Sequence, residues 1–94
     1  MRFLVNHSVP RGSTKSDIEK FQKASQSDPE ITGYRSFLNL TEGKGVCLFD
    51  APDKARLVNW LTKNKMQYKS IIEVELEGFR GQWVDIPTHV GTTA

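Results

Sequence analysis

A short polar stretch at the middle of the chain constrains the fold more than any other feature of the sequence. Residues 41–45, Thr-Glu-Gly-Lys-Gly, separate two apolar runs. A glycine-rich stretch of this length between apolar runs is typical of the turn of a β-hairpin. The sequence therefore predicts two consecutive antiparallel strands, over residues 34–40 and 46–49, and the rest of the chain must be arranged around them.

A helical pattern precedes this hairpin. Apolar residues recur with a roughly helical period between residues 18 and 25. Either Thr14 or Ser16 can cap the N-terminus of the helix, and Ser16 with Glu19 has the spacing of a capping box. We expect the helix to end near residue 27, because the Asp-Pro pair that follows disfavours helical backbone.

A second helical pattern follows the hairpin. Pro52 suits the first helical position, and Asp53 suits the first turn, where the helix dipole favours negative charge. We expect Asn64 to end this helix. The predicted buried stripe consists of Leu57, Val58 and Leu61.

The first and last strands complete the pattern. Residues 3–9 form a short apolar stretch that a Pro-Arg-Gly turn ends. Residues 70–76 alternate with period two, as in a half-buried strand. This alternation predicts that one set of side chains faces the core, namely Ile72, Val74 and Leu76, while Glu73 and Glu75 point the opposite way.

The elements follow the order β-α-β-β-α-β. This order predicts an α+β protein with the ferredoxin-like arrangement, in which a four-stranded antiparallel sheet of order 4-1-3-2 carries both helices on one face. We expect residues 1–78 to form this single domain, since a chain of 94 residues is too short to wrap two cores. Residues 79–94 are then a C-terminal extension whose last residues we expect to be disordered.

Charge and composition argue against two classes of partner. The net charge of +2 is too small to attract nucleic acid, and Val46 and Leu48 stand where an RNA-recognition motif would need aromatic residues. No apolar run is long enough for a signal peptide or a membrane span. With Cys47 as the single cysteine, a disulfide-stabilised secreted domain is not expected. We therefore expect a cytoplasmic protein with no nucleic-acid or membrane partner.

His7 and Cys47 are the candidate metal ligands. In the predicted strand order the end of the first strand lies beside the beginning of the third, which brings these two residues to one end of the sheet. Imidazole and thiolate suit nickel, zinc or copper and suit magnesium and calcium poorly. The register that decides whether they share a face is open. The structural alternative is that Cys47 is a buried core residue and His7 is only hydrogen-bonded. If a metal binds, any further ligands would come from a carboxylate such as Glu73 or Glu75, the backbone, water or a second protomer.

The sheet face without helices predicts a homodimer, because an apolar sheet face is rarely left in water. Pairing sheet to sheet would use Phe37 or, in the alternate register, Leu38 and Leu40. Residues 79–86 would then reach across to the second protomer as an arm.

Several stretches jointly resemble a known family. They are FLVNHSVP at residues 3–10, GYRSF at 33–37, VCLFDAPD at 46–53, and NKMQY at 64–68 before IIEV at 71–74. Together they resemble a bacterial family of small ferredoxin-like proteins for which nickel binding has been described and whose physiological role is largely unknown. The resemblance implies the fold, a dimer and affinity for nickel, with His7 and Cys47 at family positions of interest. Asn6 stands where an acidic residue often occurs in that family.

Three functions follow from these patterns. The first is a homodimeric protein that binds a transition metal, with nickel favoured through the resemblance. The second is a cofactor-independent oxygenase or small-molecule enzyme of the dimeric α+β barrel type, with His7 inside an apolar pocket and a small-molecule ligand. The third is a non-catalytic interaction module. No set of nucleophile, base and orienting residue can be assembled, so no catalytic residue is assigned. Four aromatic residues are candidates for either a pocket or an interface: Trp60, Tyr68, Phe79 and Trp83.

Overall fold

The computed structural model describes residues 1–88, apart from the side chains of residues 24 and 25. The secondary structure follows the predicted order as far as the fourth strand and then adds two strands that were not predicted. The elements are β1 Arg2–Ser8, α1 Lys15–Ser25, β2 Thr32–Asn39, β3 Lys44–Asp50, α2 Lys54–Lys63, β4 Tyr68–Glu73, β5 Leu76–Phe79 and β6 Gln82–Asp85. The last residues, for which we expect disorder, lie outside the described residues, and so does His89. No described helix is long and apolar enough to cross a membrane.

The first four strands form one antiparallel sheet in the order β2-β3-β1-β4. This order is 4-1-3-2 read from the other edge, so the predicted ferredoxin-like fold is confirmed. Both helices lie on one side of the sheet, which we call the helix face. The opposite side, which we call the open face, carries Leu4, Phe37, Val46, Leu48 and Ile72.

The core lies between the helix face and α2. Phe3 and Val5 of β1 and Phe49 of β3 are buried there. The Phe49 and Trp60 rings meet edge to face, with centroids 5.3 Å apart. The residues that α2 buries are Leu57, Trp60 and Leu61, so Trp60 takes the place predicted for Val58. Positions 57, 60 and 61 are one helical face, because residues three and four apart lie above one another.

The N-cap of α1 is one of the two predicted residues, whereas its capping-box pair and the N-cap of α2 differ from the prediction. Thr14 caps α1: its Oγ1 accepts from the Asp17 backbone N–H at 3.2 Å, and the Thr14 N–H donates to Asp17 Oδ2 at 2.9 Å. The capping box is therefore Thr14 with Asp17, not Ser16 with Glu19. In α2, Asp53 is the N-cap itself and accepts from the Arg56 N–H at 2.7 Å.

The prediction of which β4 side chains face the core is wrong. Val5 pairs with Ile71 and Leu4 pairs with Ile72. Directly paired residues share a sheet face, so the buried Val5 brings Ile71 to the core and leaves Ile72 on the open face, 58% exposed. Leu76 is 55% exposed, because β4 has already ended at Glu73.

A second, two-stranded sheet follows β4. In this β5–β6 hairpin the turn residues Arg80 and Gly81 both have positive φ, 51° and 81°, as a type I′ turn requires. The Arg2 guanidinium pairs with Glu77 at 3.0 Å, which links the hairpin to the start of the central strand β1. The domain boundary expected between residues 78 and 79 lies within β5.

Candidate metal centre

His7 and Cys47 lie on the same face of the sheet. In the pairing of β1 with β3, Val5 is opposite Cys47 and His7 is opposite Gly45. His7 and Cys47 are thus diagonal neighbours, both on the helix face, which answers the question that the sequence leaves open. His7 Nε2 and Cys47 Sγ are 2.8 Å apart, and each residue is only 5% exposed.

Gly45 lies beside this contact and makes room for the Leu38 side chain. It lies on β3 directly opposite His7, beyond the turn to which the sequence assigns it. A Cβ at this position would clash with Leu38 Cδ2 and would lie 3.6 Å from His7 Nε2. A glycine opposite a histidine is visible only once the register is known, so sequence reasoning identifies Gly45 as a turn residue and misses its role beside the site.

Burial keeps both side chains uncharged at neutral pH. It lowers the pKa of His7 below its ordinary value. It raises the pKa of Cys47, and a hydrogen bond with Ser36 opposes part of that rise. Ser36 is the residue of β2 that pairs with Cys47. The contact is therefore a hydrogen bond between a neutral imidazole and a thiol.

The pair lies in the wall of a cavity of about 570 Å³ between α1 and the sheet. Apolar side chains form much of the rest of the wall, namely Ile18, Phe21, Ile31, Phe49, Trp60 and Met66. None of the described side chains of α1 is buried. This helix therefore covers the cavity without filling it. The cavity combines an apolar interior with two polar groups that have metal-ligand chemistry.

Of the aromatic residues that the sequence offers for a pocket, Trp60 lines this cavity. Phe79 and Trp83 lie on the hairpin instead, 61% and 70% exposed. Phe21 and Phe49 line the cavity and were missed, because they come from elements far apart in the chain and no local pattern joins them.

The donor pair fits a transition metal with a small adjustment. A metal about 2.1 Å from an imidazole nitrogen and about 2.3 Å from a thiolate sets those atoms roughly 3.1 Å apart at a right angle and roughly 3.6 Å apart in a tetrahedron. The observed 2.8 Å therefore has to open by a few tenths of an ångström or more. Neither Glu73 nor Glu75 lines the cavity. Within residues 1–88 no group of three or more His, Cys, Asp or Glu side chains is placed to hold a metal.

A family model and a solved structure both match this chain. The model of a family described as nickel responsive protein SCO4226-like matches residues 3–74. The crystal structure of SCO4226 from Streptomyces coelicolor A3(2) superposes with a TM-score of 0.73 at 17% sequence identity, over 83% of this chain and 100% of that one. At that identity the likeness shows the fold. No curated protein matches the chain.

Proposed function

Since this chain belongs to the SCO4226-like family of nickel responsive proteins, we propose that it binds a divalent transition metal, nickel above others, through His7 and Cys47. The observation that carries the proposal is the 2.8 Å contact between His7 Nε2 and Cys47 Sγ at the wall of a cavity. One borderline and one soft donor suit nickel, copper or zinc. The residues that would hold the ion are thus the two that the sequence analysis selects.

The two ligands contribute different chemistry. The lowered pKa of His7 keeps its Nε2 lone pair available at neutral pH. Cys47 has to lose its proton, because the thiolate is the metal ligand. The Ser36 hydrogen bond favours that thiolate. A bound divalent ion supplies the positive charge that makes deprotonation of the buried thiol favourable.

We also propose that the protein is a homodimer in the cytoplasm. Support for the dimer comes from the open face, where Phe37 and Ile72 are 56% and 58% exposed, and from the apolar side chains of the β5–β6 hairpin. Patches of this kind mark protein interfaces. A reducing compartment would keep the single Cys47 available as a thiol.

The cavity supports a second candidate function, a cofactor-independent oxygenase or other small-molecule enzyme of the dimeric α+β barrel type. Its volume is within the range of small-molecule sites, and His7 places one polar group against apolar walls. Organic ligand retained through purification, together with no nickel binding, would favour this candidate.

Calorimetric titration of the tag-free protein with nickel, zinc and copper tests the first proposal. We expect tight binding that falls at least about a hundredfold in His7→Ala and in Cys47→Ser, because each removes a direct ligand. His89→Ala is the matched control, since it removes the other histidine of the chain. Circular dichroism verifies that each variant is folded. Unchanged nickel affinity in the His7→Ala/Cys47→Ser double variant contradicts the proposal.

A further inference from the structure

The cavity beside His7 and Cys47 is much larger than a metal ion needs. We propose that the metal binds together with a small, monoanionic, bidentate chelator of the α-amino-acid class, whose organic side chain occupies the space between α1 and the sheet. This inference rests on the proposed function, because the chelator is held through the metal.

The first support is the number of donors. Divalent transition metals take at least four ligands, whereas His7 and Cys47 supply two. Asp17 also lines the cavity, but its Oδ2 already accepts hydrogen bonds from Thr14 N–H at 2.9 Å and Thr14 Oγ1 at 3.0 Å. A bidentate chelator brings the count to four without drawing on the helix cap.

The second support is charge. A divalent ion with one thiolate and one neutral imidazole carries a net charge of +1, and a net charge is costly to hold where both ligands are buried. The charged side chains that line the cavity, Asp17 and Lys65, are exposed and opposite in sign, so they do not neutralise it. A chelator with a single negative charge does.

The third support is the shape and polarity of the cavity. Its volume of about 570 Å³ is typical of small-molecule sites. Ile31 and Trp60 form part of an apolar wall, while Ser36 and Gln67 are polar side chains of the same lining. On α1, Phe21 lines the same cavity and is still 39% exposed. An apolar ligand side chain would cover it.

Nickel titrations with and without an amino acid test this inference. The protein is titrated with nickel alone, with nickel and excess glycine, and with nickel and excess L-phenylalanine, each corrected for the amino acid's own affinity for nickel. Glycine has the same donor atoms as phenylalanine and lacks the apolar side chain. We expect apparent nickel affinity to be about tenfold or more higher with phenylalanine than with glycine, since burial of one aromatic side chain gives a gain of that order.

Variants and mass measurement complete the test. Phe21→Ala and Ile18→Trp, which alter the cavity wall, should remove the preference for phenylalanine, whereas Phe79→Ala, on the hairpin, should retain it. Native mass spectrometry should show protein, nickel and phenylalanine in equal numbers.

The outcomes separate this inference from the proposed function. Nickel that binds alone through His7 and Cys47 but is weakened equally by both amino acids overturns the chelator and leaves the metal site. Phenylalanine that binds without nickel also overturns the chelator. Absence of nickel binding under all three conditions overturns the proposed function, and the chelator with it.

Discussion

At the scale of the residue, the site depends on how burial acts on two neighbouring side chains. Burial lowers the pKa of His7 and raises that of Cys47, so neither forms its charged state readily. The imidazole is therefore ready to bind a metal and the thiol is not. Metal binding has to displace the Cys47 proton, which couples affinity to pH.

The same shifts predict how the stability of the metal-free protein depends on pH. Below about pH 6.5 an unfolded chain protonates His7 while the folded protein does not, so stability falls as pH falls. Above about pH 8.5 an unfolded chain ionises Cys47 while the folded protein keeps its proton, so stability falls as pH rises. Urea unfolding from pH 5 to pH 10 should show both limbs. His7→Gln should flatten the acid limb and Cys47→Ala the alkaline limb, and unchanged slopes in both variants would refute the assignment.

Gly45 gives a second prediction at this scale. Gly45→Ala should lower the free energy of unfolding by about 1–3 kcal/mol, because the added Cβ overlaps the Leu38 side chain in a packed region. Gly33→Ala is the matched control: its Cβ meets Phe49 Cε1 at an ordinary 3.8 Å, so we expect a change within about 0.5 kcal/mol. Denaturant titration measures the free energy of unfolding of both variants. An equal loss in the two would contradict this role for Gly45.

At the scale of the element, the order of strands and helices is readable from the sequence while their facing is not. The glycine-rich turn and the helical periods predict the sheet order correctly, because they are local signals. The face that β4 buries depends on its pairing with β1, which is a long-range choice: a shift of one residue exchanges Ile71 for Ile72. Local signals therefore predicted that His7 and Cys47 lie at one end of the sheet. Whether they share a face depends on the long-range register, so it was unknown from the sequence.

The start of α1 provides a prediction that separates two possible caps. Thr14→Ala should lower stability by about 1 kcal/mol, because Thr14 Oγ1 accepts the otherwise unpaired Asp17 N–H. Ser16→Ala is the control, and we expect a change within about 0.5 kcal/mol because Ser16 lies inside the helix and is exposed. Thermal or urea unfolding of both variants measures the difference. A larger loss in Ser16→Ala would restore the cap that the capping-box spacing favours.

At the scale of the whole molecule, the two faces of the sheet have separate roles in this account. The helix face holds the donor pair and the cavity, and the open face holds apolar side chains available to a second protomer. The β5–β6 hairpin extends the open face. There the Arg35 guanidinium lies 5.5 Å from the Phe37 ring centroid and 5.8 Å from the Phe79 ring centroid. The helix-face cavity and the proposed dimer surface can therefore be altered independently.

Phe37→Glu tests the proposed dimer. We expect light scattering at micromolar concentration to give a dimer mass for the original protein and a monomer mass for the variant, because the substitution replaces an exposed apolar side chain of the interface by a charged one that is costly to bury. Thr62→Glu introduces the same charge at an exposed position of α2 and should leave the dimer intact. A monomer mass for the original protein would refute the dimer without bearing on the metal site.

X-ray absorption at the nickel edge tests the central claim most directly, since it reports the atoms bound to the metal. The account predicts one sulfur and at least one imidazole nitrogen around nickel in the loaded protein. The sulfur signal should disappear in Cys47→Ser, which distinguishes the thiolate from the Met66 thioether in the cavity wall. The imidazole signal should fall in His7→Ala. A nickel shell of oxygen and non-imidazole nitrogen alone, in the unsubstituted protein, would contradict a site built on His7 and Cys47.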